Sequence, residues 1–250
     1  MEQFLCLNSL VSERKNNLMP IHTYSNWNRR HSDTEEQIEP FRKYFFICEG
    51  ANTETFYFKK LIDLRKELNI HPLIDIRLWE KTGEDKDISF AKNLTTFAFA
   101  QKTKDNGFDP DRDKLIIVFD ADIFEEKVHG YEELIQKIEK SDIAAVTNPS
   151  FELFLILHIE NSFEECILNQ EKQYLTKDDT GSYRHAYTVL HLLTGMNAKK
   201  NPQIGQLAEN VLYAIFQEKK INQDIHNCKG IVTSNIGAII ESIMKEKPEI

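Results

Sequence analysis

Residues 115–122 read LIIVFDAD, a five-residue apolar run that ends in two carboxylates, Asp120 and Asp122. Residues 45–50 read FFICEG and have the same form, with Glu49 closing the apolar run. Each run is too short for a helix and has the length of a buried strand. A desolvated carboxylate without a partner is costly, so a buried strand that ends in one needs something to compensate the charge.

Helical and strand patterns alternate around these two runs. The strands are expected near 43–48, 74–78, 115–119 and 143–146, and the helices near 53–68, 88–102, 131–138 and 151–159. The order β-α-β-α-β-α-β-α predicts an α/β fold with a mostly parallel sheet and helices on both faces. In such a sheet Glu49, Asp120 and Asp122 meet at the carboxyl edge, where ligands bind. Carboxylate oxygens are ligands of hard cations, so this edge predicts a site for Mg²⁺ or Mn²⁺.

The pattern changes along the chain and suggests three parts. Residues 1–42 have no convincing periodicity and are predicted to form a weakly ordered arm. Residues 43–160 hold the alternating elements and all the proposed metal ligands. Residues 161–250 contain helix patterns near 185–194, 203–220 and 235–246, which predict a C-terminal helical extension.

Charge limits the way in which this protein can bind other molecules. The 250 residues include 31 Lys and Arg against 40 Asp and Glu, a formal net charge of −9. Long-range attraction to a phosphate backbone is therefore disfavoured. Residues 161–230 are balanced in charge, and a solvated loop is the default reading for their basic residues. The alternative is contact with nucleic acid through Lys172, Lys177 and Arg184, with Tyr174 and Tyr183 stacking on bases.

Cysteine usage and hydropathy indicate the compartment. The four cysteines are scattered and form no Cys-x-x-Cys pair, which is typical of reduced thiols in a cytosol. No apolar stretch approaches the roughly 20 residues that span a bilayer. The N-terminus lacks the charged-then-apolar order of a signal peptide. We expect a cytoplasmic protein with no membrane segment.

Three motifs in a fixed order resemble a known family. They are ICEG at 47–50 followed by Thr53-Glu54, VFDAD at 118–122, and NPSFEL at 148–153. Together they resemble the RloB-like family, which implies a Toprim-type fold like that of topoisomerases, primases and OLD-type phage-defence nucleases. Glu49 matches the Toprim glutamate, and Asp120 and Asp122 match its Asp-x-Asp pair.

The resemblance also implies an activity. It points to a Mg²⁺-dependent endonuclease that cleaves DNA or RNA in anti-phage defence by abortive infection, with an AAA-type ATPase encoded nearby as partner. Glu49, Asp120 and Asp122 would be its catalytic and metal-binding residues. Whether the substrate is DNA or RNA, and whether the chain forms a homo-oligomer, stays open at this point.

Two further carboxylates are candidates for a second metal ion. Glu54 and Glu152 each lie in the first turn of a predicted helix, where the helix dipole also stabilises a glutamate without any function. Ser150, directly before the fourth helix, is predicted to be its N-cap.

Two other functions remain as alternatives. Residues 119–122, FDAD, also resemble the nucleophile motif of haloacid-dehalogenase-type phosphohydrolases, in which the first Asp attacks phosphorus. That family carries the motif on its first strand, whereas two β-α units precede it here. The other alternative is a non-catalytic regulatory subunit of an ATPase complex.

Overall fold

A mixed β-sheet with helices on both faces organises this protein. The computed structural model describes residues 21–25, 39–83, 85, 88, 90–121 and 130–248. The strands are β1 (His22–Ser25), β2 (Arg42–Cys48), β3 (Ile74–Glu80), β4 (Lys114–Asp120), β5 (Ile143–Asn148) and β6 (Thr233–Ser234). The helices are α1 (Thr53–Asp63), α2 (Ala91–Lys104), α3 (Tyr131–Glu139), α4 (Phe151–Ile156), α5 (Glu171–Tyr174), α6 (His185–Thr194), α7 (Val211–Glu218) and α8 (Ile236–Lys245).

The strand order confirms the predicted α/β class and adds two strands to it. The order across the sheet is β1-β3-β2-β4-β5-β6. The four central strands are parallel, as predicted, while β1 and β6 pair antiparallel at the edges. β1 lies inside the arm that was expected to be weakly ordered. Both edge strands are short and partly polar, so their pairing depends on the sheet rather than on their own pattern.

Side chains alternate between the two faces of the sheet, which separates two apolar layers. On β2, Phe46 and Cys48 face the layer that contains α1, α4 and the C-terminal helices. Phe45 and Ile47 face the other layer, which contains α2 and α3. The central strands are thus buried on both sides, as parallel strands in α/β proteins are.

The strand order reverses between β2 and β4. The chain runs from β2 to its neighbour β3, and then crosses to β4 on the other side of β2. The helices follow the reversal, because α1 covers one face and α2 covers the other. In open α/β sheets such a switch point leaves a crevice at the carboxyl ends of the two strands, and ligands bind there. Glu49 directly follows β2 and Asp120 ends β4.

The C-terminal extension shares the core of the sheet. Ile204, Val211 and Ile240 are fully buried in the same apolar cluster as Phe46. The predicted helix at 203–220 is a 3₁₀ segment, Pro202–Asn210, followed by α7. Gly205 in that segment lies so close to the backbone carbonyl of Phe56 that a Cβ would overlap it. The division at residue 160 stays a prediction, and this shared core leads us to expect that residues 43–160 do not fold alone.

Within the described residues, no helix combines the length and the apolar character that crossing a membrane requires.

Candidate functional site

A cleft of about 930 Å³ opens at the switch point of the sheet. Four carboxylates line it: Glu49 after β2, Glu54 in the first turn of α1, Asp120 at the end of β4, and Glu152 in the first turn of α4. They come from four separate elements, and the parallel sheet brings them together. The structure therefore places Glu49, Glu54, Asp120 and Glu152 around one space. Asp122 lies outside the described residues.

Glu49 and Asp120 are joined through the backbone of the two strands. The N–H of Glu49 donates to the carbonyl of Val118 at 2.9 Å, which extends the pairing of β2 with β4 by one residue. The N–H of Asp120 donates to Oε2 of Glu49 at 3.3 Å. The backbone of β4 thus holds the Glu49 carboxylate beside the position of Asp120.

Thr147 orients the Asp120 carboxylate. It stands in register with Asp120 on β5, and its hydroxyl donates to Oδ1 of Asp120. Burial raises the pKa of Asp120 well above its ordinary value, and the charges of Glu54, Glu49 and Glu152 raise it further. Both effects are expected where several carboxylates lie close together away from solvent. A cation nearby would therefore stabilise the ionised form of Asp120.

Glu54 reaches back over the turn between β2 and α1. Its Oε1 accepts the N–H of Gly50 at 3.2 Å. A Cβ at residue 50 would overlap this carboxylate, so glycine is what allows Glu54 to lie across the turn. Burial raises the pKa of Glu54, and the charge of Glu152 adds to the effect. Glu54 is thus part of the same electrostatic group as Asp120.

Lys81 is a buried lysine at the same edge of the sheet as these carboxylates, because it directly follows β3. Its ammonium donates to the backbone carbonyls of Glu49 and Ile88, the latter at 2.6 Å. Burial lowers the pKa of Lys81. In the described part of the chain, no lysine or arginine forms an ion pair with Glu54, Asp120 or Glu152. Lys81 therefore fixes the loop backbone through these two carbonyls and forms no ion pair with Glu54, Asp120 or Glu152.

The donor set has the chemistry that a hard divalent cation requires. All four groups offer carboxylate oxygens, the ligands preferred by Mg²⁺ and Mn²⁺. No three His, Cys, Asp or Glu side chains among the described residues are gathered closely enough to hold an ion as they stand. The cleft thus fits the cation in chemistry and charge, while the described side chains do not form a closed cage.

Ser150 behaves differently from its prediction as an N-cap. It does stand before α4, but its side chain makes no capping hydrogen bond. Its Oγ is buried and has no hydrogen-bond partner among the described residues. The hydroxyl belongs to the lining of the cleft, beside Glu152. Since buried hydroxyls are nearly always satisfied, this atom marks a place where a ligand or a water would complete the structure.

A second set of residues lines the same cleft and is basic and aromatic. It comes from the C-terminal extension and consists of Lys177, Tyr183, Arg184, Tyr187 and Lys199. The hydroxyl of Thr53, at the start of α1, donates to the carbonyl of Ala198 at 3.2 Å and holds this part of the extension against the cleft. The predicted contact residues Lys177 and Arg184 thus lie beside the carboxylates, although they follow them by many residues in the chain.

Two of the predicted contact residues lie elsewhere. Lys172 lines a neighbouring cavity of about 630 Å³ rather than the cleft itself. The alternative of nucleic-acid contact also offered Tyr174 for stacking on bases, and this part of it is wrong because the Tyr174 ring is fully buried. The ring meets His185 edge to face at 4.6 Å, and its hydroxyl donates to the carbonyl of Cys166 at 3.1 Å. Tyr187, which the sequence reasoning missed, takes the place of Tyr174 in the cleft.

Lys81 and Thr147 were also missed, and one signal could have found them. Both stand at the carboxyl ends of strands adjacent to β2 and β4, so the argument applied to Glu49 and Asp120 applies to them as well. A single lysine or threonine at a strand end is common on solvated surfaces, which is why neither stands out in the sequence.

Comparison with known proteins agrees with the resemblance seen in the motifs. The model of the family described as RloB-like protein matches residues 44–243, a span that includes both sets of cleft residues. No curated protein and no solved structure matches the chain. The match covers most of the chain, and this protein therefore belongs to the RloB-like family.

Proposed function

We propose that this protein is a metal-dependent nuclease that cleaves phosphodiester bonds of DNA or RNA. One observation carries the proposal: four carboxylates from four separate elements share a cleft with Lys177, Arg184 and Lys199 at the switch point of the sheet. Carboxylates suit a divalent ion, and basic side chains suit the phosphates of a substrate. The Toprim-type activity implied by the family resemblance is of the same kind.

Glu49 and Asp120 would hold the ion, with Asp122 completing the motif from outside the described residues. Glu54 and Glu152 are the candidates for a second ion. When bound, Mg²⁺ or Mn²⁺ supplies Lewis-acid stabilisation of charge on the phosphate and lowers the pKa of a bound water.

The residues of the chain itself position these groups. Thr147 holds Oδ1 of Asp120, and the backbone N–H of Asp120 holds Oε2 of Glu49. Lys81 holds the carbonyl of Glu49 and so fixes the backbone where β2 ends. Carboxylates that are held in advance lose less freedom when substrate and cation arrive, which is how preorganised sites act.

The direct test is cleavage by the purified full chain. Labelled plasmid DNA and labelled RNA are incubated with Mg²⁺ or Mn²⁺ and with EDTA. We expect cleavage that depends on the divalent ion, is lost in Asp120→Asn, and is retained in Glu165→Gln, which changes an exposed carboxylate away from the cleft. Equal cleavage by Asp120→Asn would refute the assignment. Hydrolysis of phosphomonoesters alone would favour the haloacid-dehalogenase-type reading instead.

The proposal extends to a setting in anti-phage defence with an AAA-type ATPase as partner, on the basis of the family resemblance. A nuclease that acts without control would damage its own cell, and a net charge of −9 opposes approach to nucleic acid. We therefore expect the partner to deliver or release the activity. Co-expression with an ATPase encoded nearby should raise toxicity, and Asp120→Asn should remove the increase. Toxicity that persists in Asp120→Asn would instead indicate a regulatory subunit.

A further inference from the structure

Aromatic side chains line the cleft beside the carboxylates. Tyr183 and Tyr187 are half-buried and contribute their rings, and Phe90, which is 50% exposed, adds a third. The apolar face of an aromatic ring makes no favourable contact with a carboxylate. Rings in such a place are well suited to a ligand that has both flat apolar faces and negative charge.

The two tyrosines are held in place before any ligand arrives. Tyr187 lies on α6 and packs against the main apolar cluster, and its ring is parallel to that of His191 within 4° at a centroid distance of 6.4 Å. The ammonium of Lys177 lies 5.0 Å from the centre of the Tyr183 ring. A ring already fixed by its neighbours loses little freedom when a flat group stacks on it. The ammonium of Lys177 thus lies next to the ring on which a flat group would stack.

The cleft continues into the neighbouring cavity. Lys177 and Arg184 line both, so they stand where the two spaces meet. The neighbouring cavity is lined otherwise by amides, hydroxyls, Lys172 and His185, with Asp178 as its one acidic residue among those described. Asp178 is already paired with Arg184 at 3.1 Å. The negative charge of the lining therefore decreases from the carboxylates of the cleft toward the neighbouring cavity. A polyanion is repelled less along this path.

We propose that this path binds single-stranded nucleic acid, with bases stacked on Tyr183 and Tyr187 and phosphates beside Lys177, Arg184 and Lys199. The inference rests on the proposed function, because the bound strand would carry its phosphate to Asp120. In a duplex the bases are stacked on one another and do not offer their faces to a protein ring. Unpaired bases do, and aromatic platforms beside a basic groove are the usual means of binding them.

Fluorescence anisotropy on the full-length Asp120→Asn chain tests the binding without cleavage. The probes are one short labelled sequence as single-stranded DNA, single-stranded RNA, duplex DNA and duplex RNA, and the DNA and RNA arms identify the sugar. We expect single strands to bind on the order of 10-fold more tightly than duplexes. Adding Tyr183→Ala should weaken single-strand binding by a similar factor, while Tyr183→Phe, which keeps the ring, should not.

Further variants keep the test decisive if one of them is unstable. Tyr187→Ala removes a ring that also packs on the core, so Tyr187→Phe and a thermal melt accompany it. Leu192→Ala changes an exposed apolar residue that does not line the cleft and should leave binding unchanged. Duplexes bound as tightly as single strands, or Tyr183→Ala bound like its parent, would overturn the proposal. Strand-selective binding without divalent-dependent cleavage by the wild-type chain would overturn the nuclease assignment alone.

Discussion

The two edges of the sheet hold buried carboxylates in opposite ways. At the amino edge, Asp113 and Asp142 directly precede β4 and β5, and both are buried. Asp113 accepts the backbone N–H of Lys43 at 2.8 Å and lies 3.4 Å from its ammonium. Asp142 accepts the ammonium of Lys102 at 2.7 Å and the N–H of Leu115 at 3.1 Å. These carboxylates tie the strands together.

At the carboxyl edge Asp120 lacks such a partner among the described residues. Asp120 accepts a hydroxyl rather than an ammonium, and Lys81, a buried lysine at the same edge, donates to carbonyls. Burial alone therefore does not distinguish a carboxylate that pairs with a lysine from one that does not. The two edges differ in whether a lysine of the protein is bound to the buried carboxylate, and under the proposed function a divalent cation would take that place at Asp120.

Removing a carboxylate from the amino edge should have the largest effect on stability. Asp142→Ala leaves the ammonium of Lys102 partly buried without its partner, and we expect a loss of about 3 kcal/mol in the free energy of unfolding. Urea denaturation measures it. The double variant with Lys102→Met should recover part of the loss, because no unpaired charge remains. An unchanged unfolding midpoint in Asp142→Ala would show that the pair is not structural.

The matching change at the carboxyl edge should have the opposite sign. Asp120→Asn removes a charge that burial and three neighbouring carboxylates disfavour, and Thr147 can still donate to the amide oxygen. We expect the metal-free protein to gain about 1 kcal/mol at neutral pH. Urea denaturation in EDTA is the measurement. A loss comparable to that of Asp142→Ala would remove the contrast between the two edges.

The pH dependence of that gain sharpens the contrast. The pKa of Asp120 in the folded state lies above its ordinary value of 3.8, so its ionised form costs stability at neutral pH. This cost fades as the pH falls through the raised pKa, because the folded state then takes up a proton. The stability difference between Asp120→Asn and wild type should therefore shrink as the pH falls from neutral toward the ordinary value of 3.8. Glu218, whose pKa is also raised, is present in both chains and cancels in the difference, whereas Glu54 interacts with Asp120 and contributes to it.

The smallest effect is expected from a glycine at the carboxyl edge. Gly50→Ala places a Cβ where the Glu54 carboxylate lies, and the flexible end of that side chain can move away without unfolding the protein. We expect metal binding to weaken several-fold and the free energy of unfolding to change by less than about 0.5 kcal/mol.

A double-mutant cycle with Glu54→Gln identifies the cause of that effect. If Gly50→Ala acts by displacing Glu54, it should add little to Glu54→Gln. Full additivity of the two changes would place the effect elsewhere in the turn.

The sequence predicted the fold and half of the cleft for a definite physical reason. The apolar runs before Glu49 and Asp120, together with alternating elements, imply parallel strands, and parallel strands put their carboxyl ends together. α6 was predicted at 185–194, with the same bounds as in the structure, because it has clear helical periodicity.

The other half of the cleft depends on tertiary packing. Tyr174 and Tyr187 both lie on helices, and only the packing of those helices buries the first and leaves the second beside the cleft. Ser150 has the sequence context of a cap, and its unsatisfied hydroxyl is visible only in three dimensions. β1 and β6 are too short to show a period of their own, so their pairing with the sheet carries no local signal.

Calorimetric titration of the full chain with Mn²⁺ or Mg²⁺ tests the difference between the edges most directly. Wild type, Asp120→Asn and Asp142→Ala are compared under one buffer, below the unfolding transition of each. We predict that wild type and Asp142→Ala bind the ion with similar affinity and that Asp120→Asn does not bind it. Binding by Asp120→Asn equal to that of wild type would contradict the account.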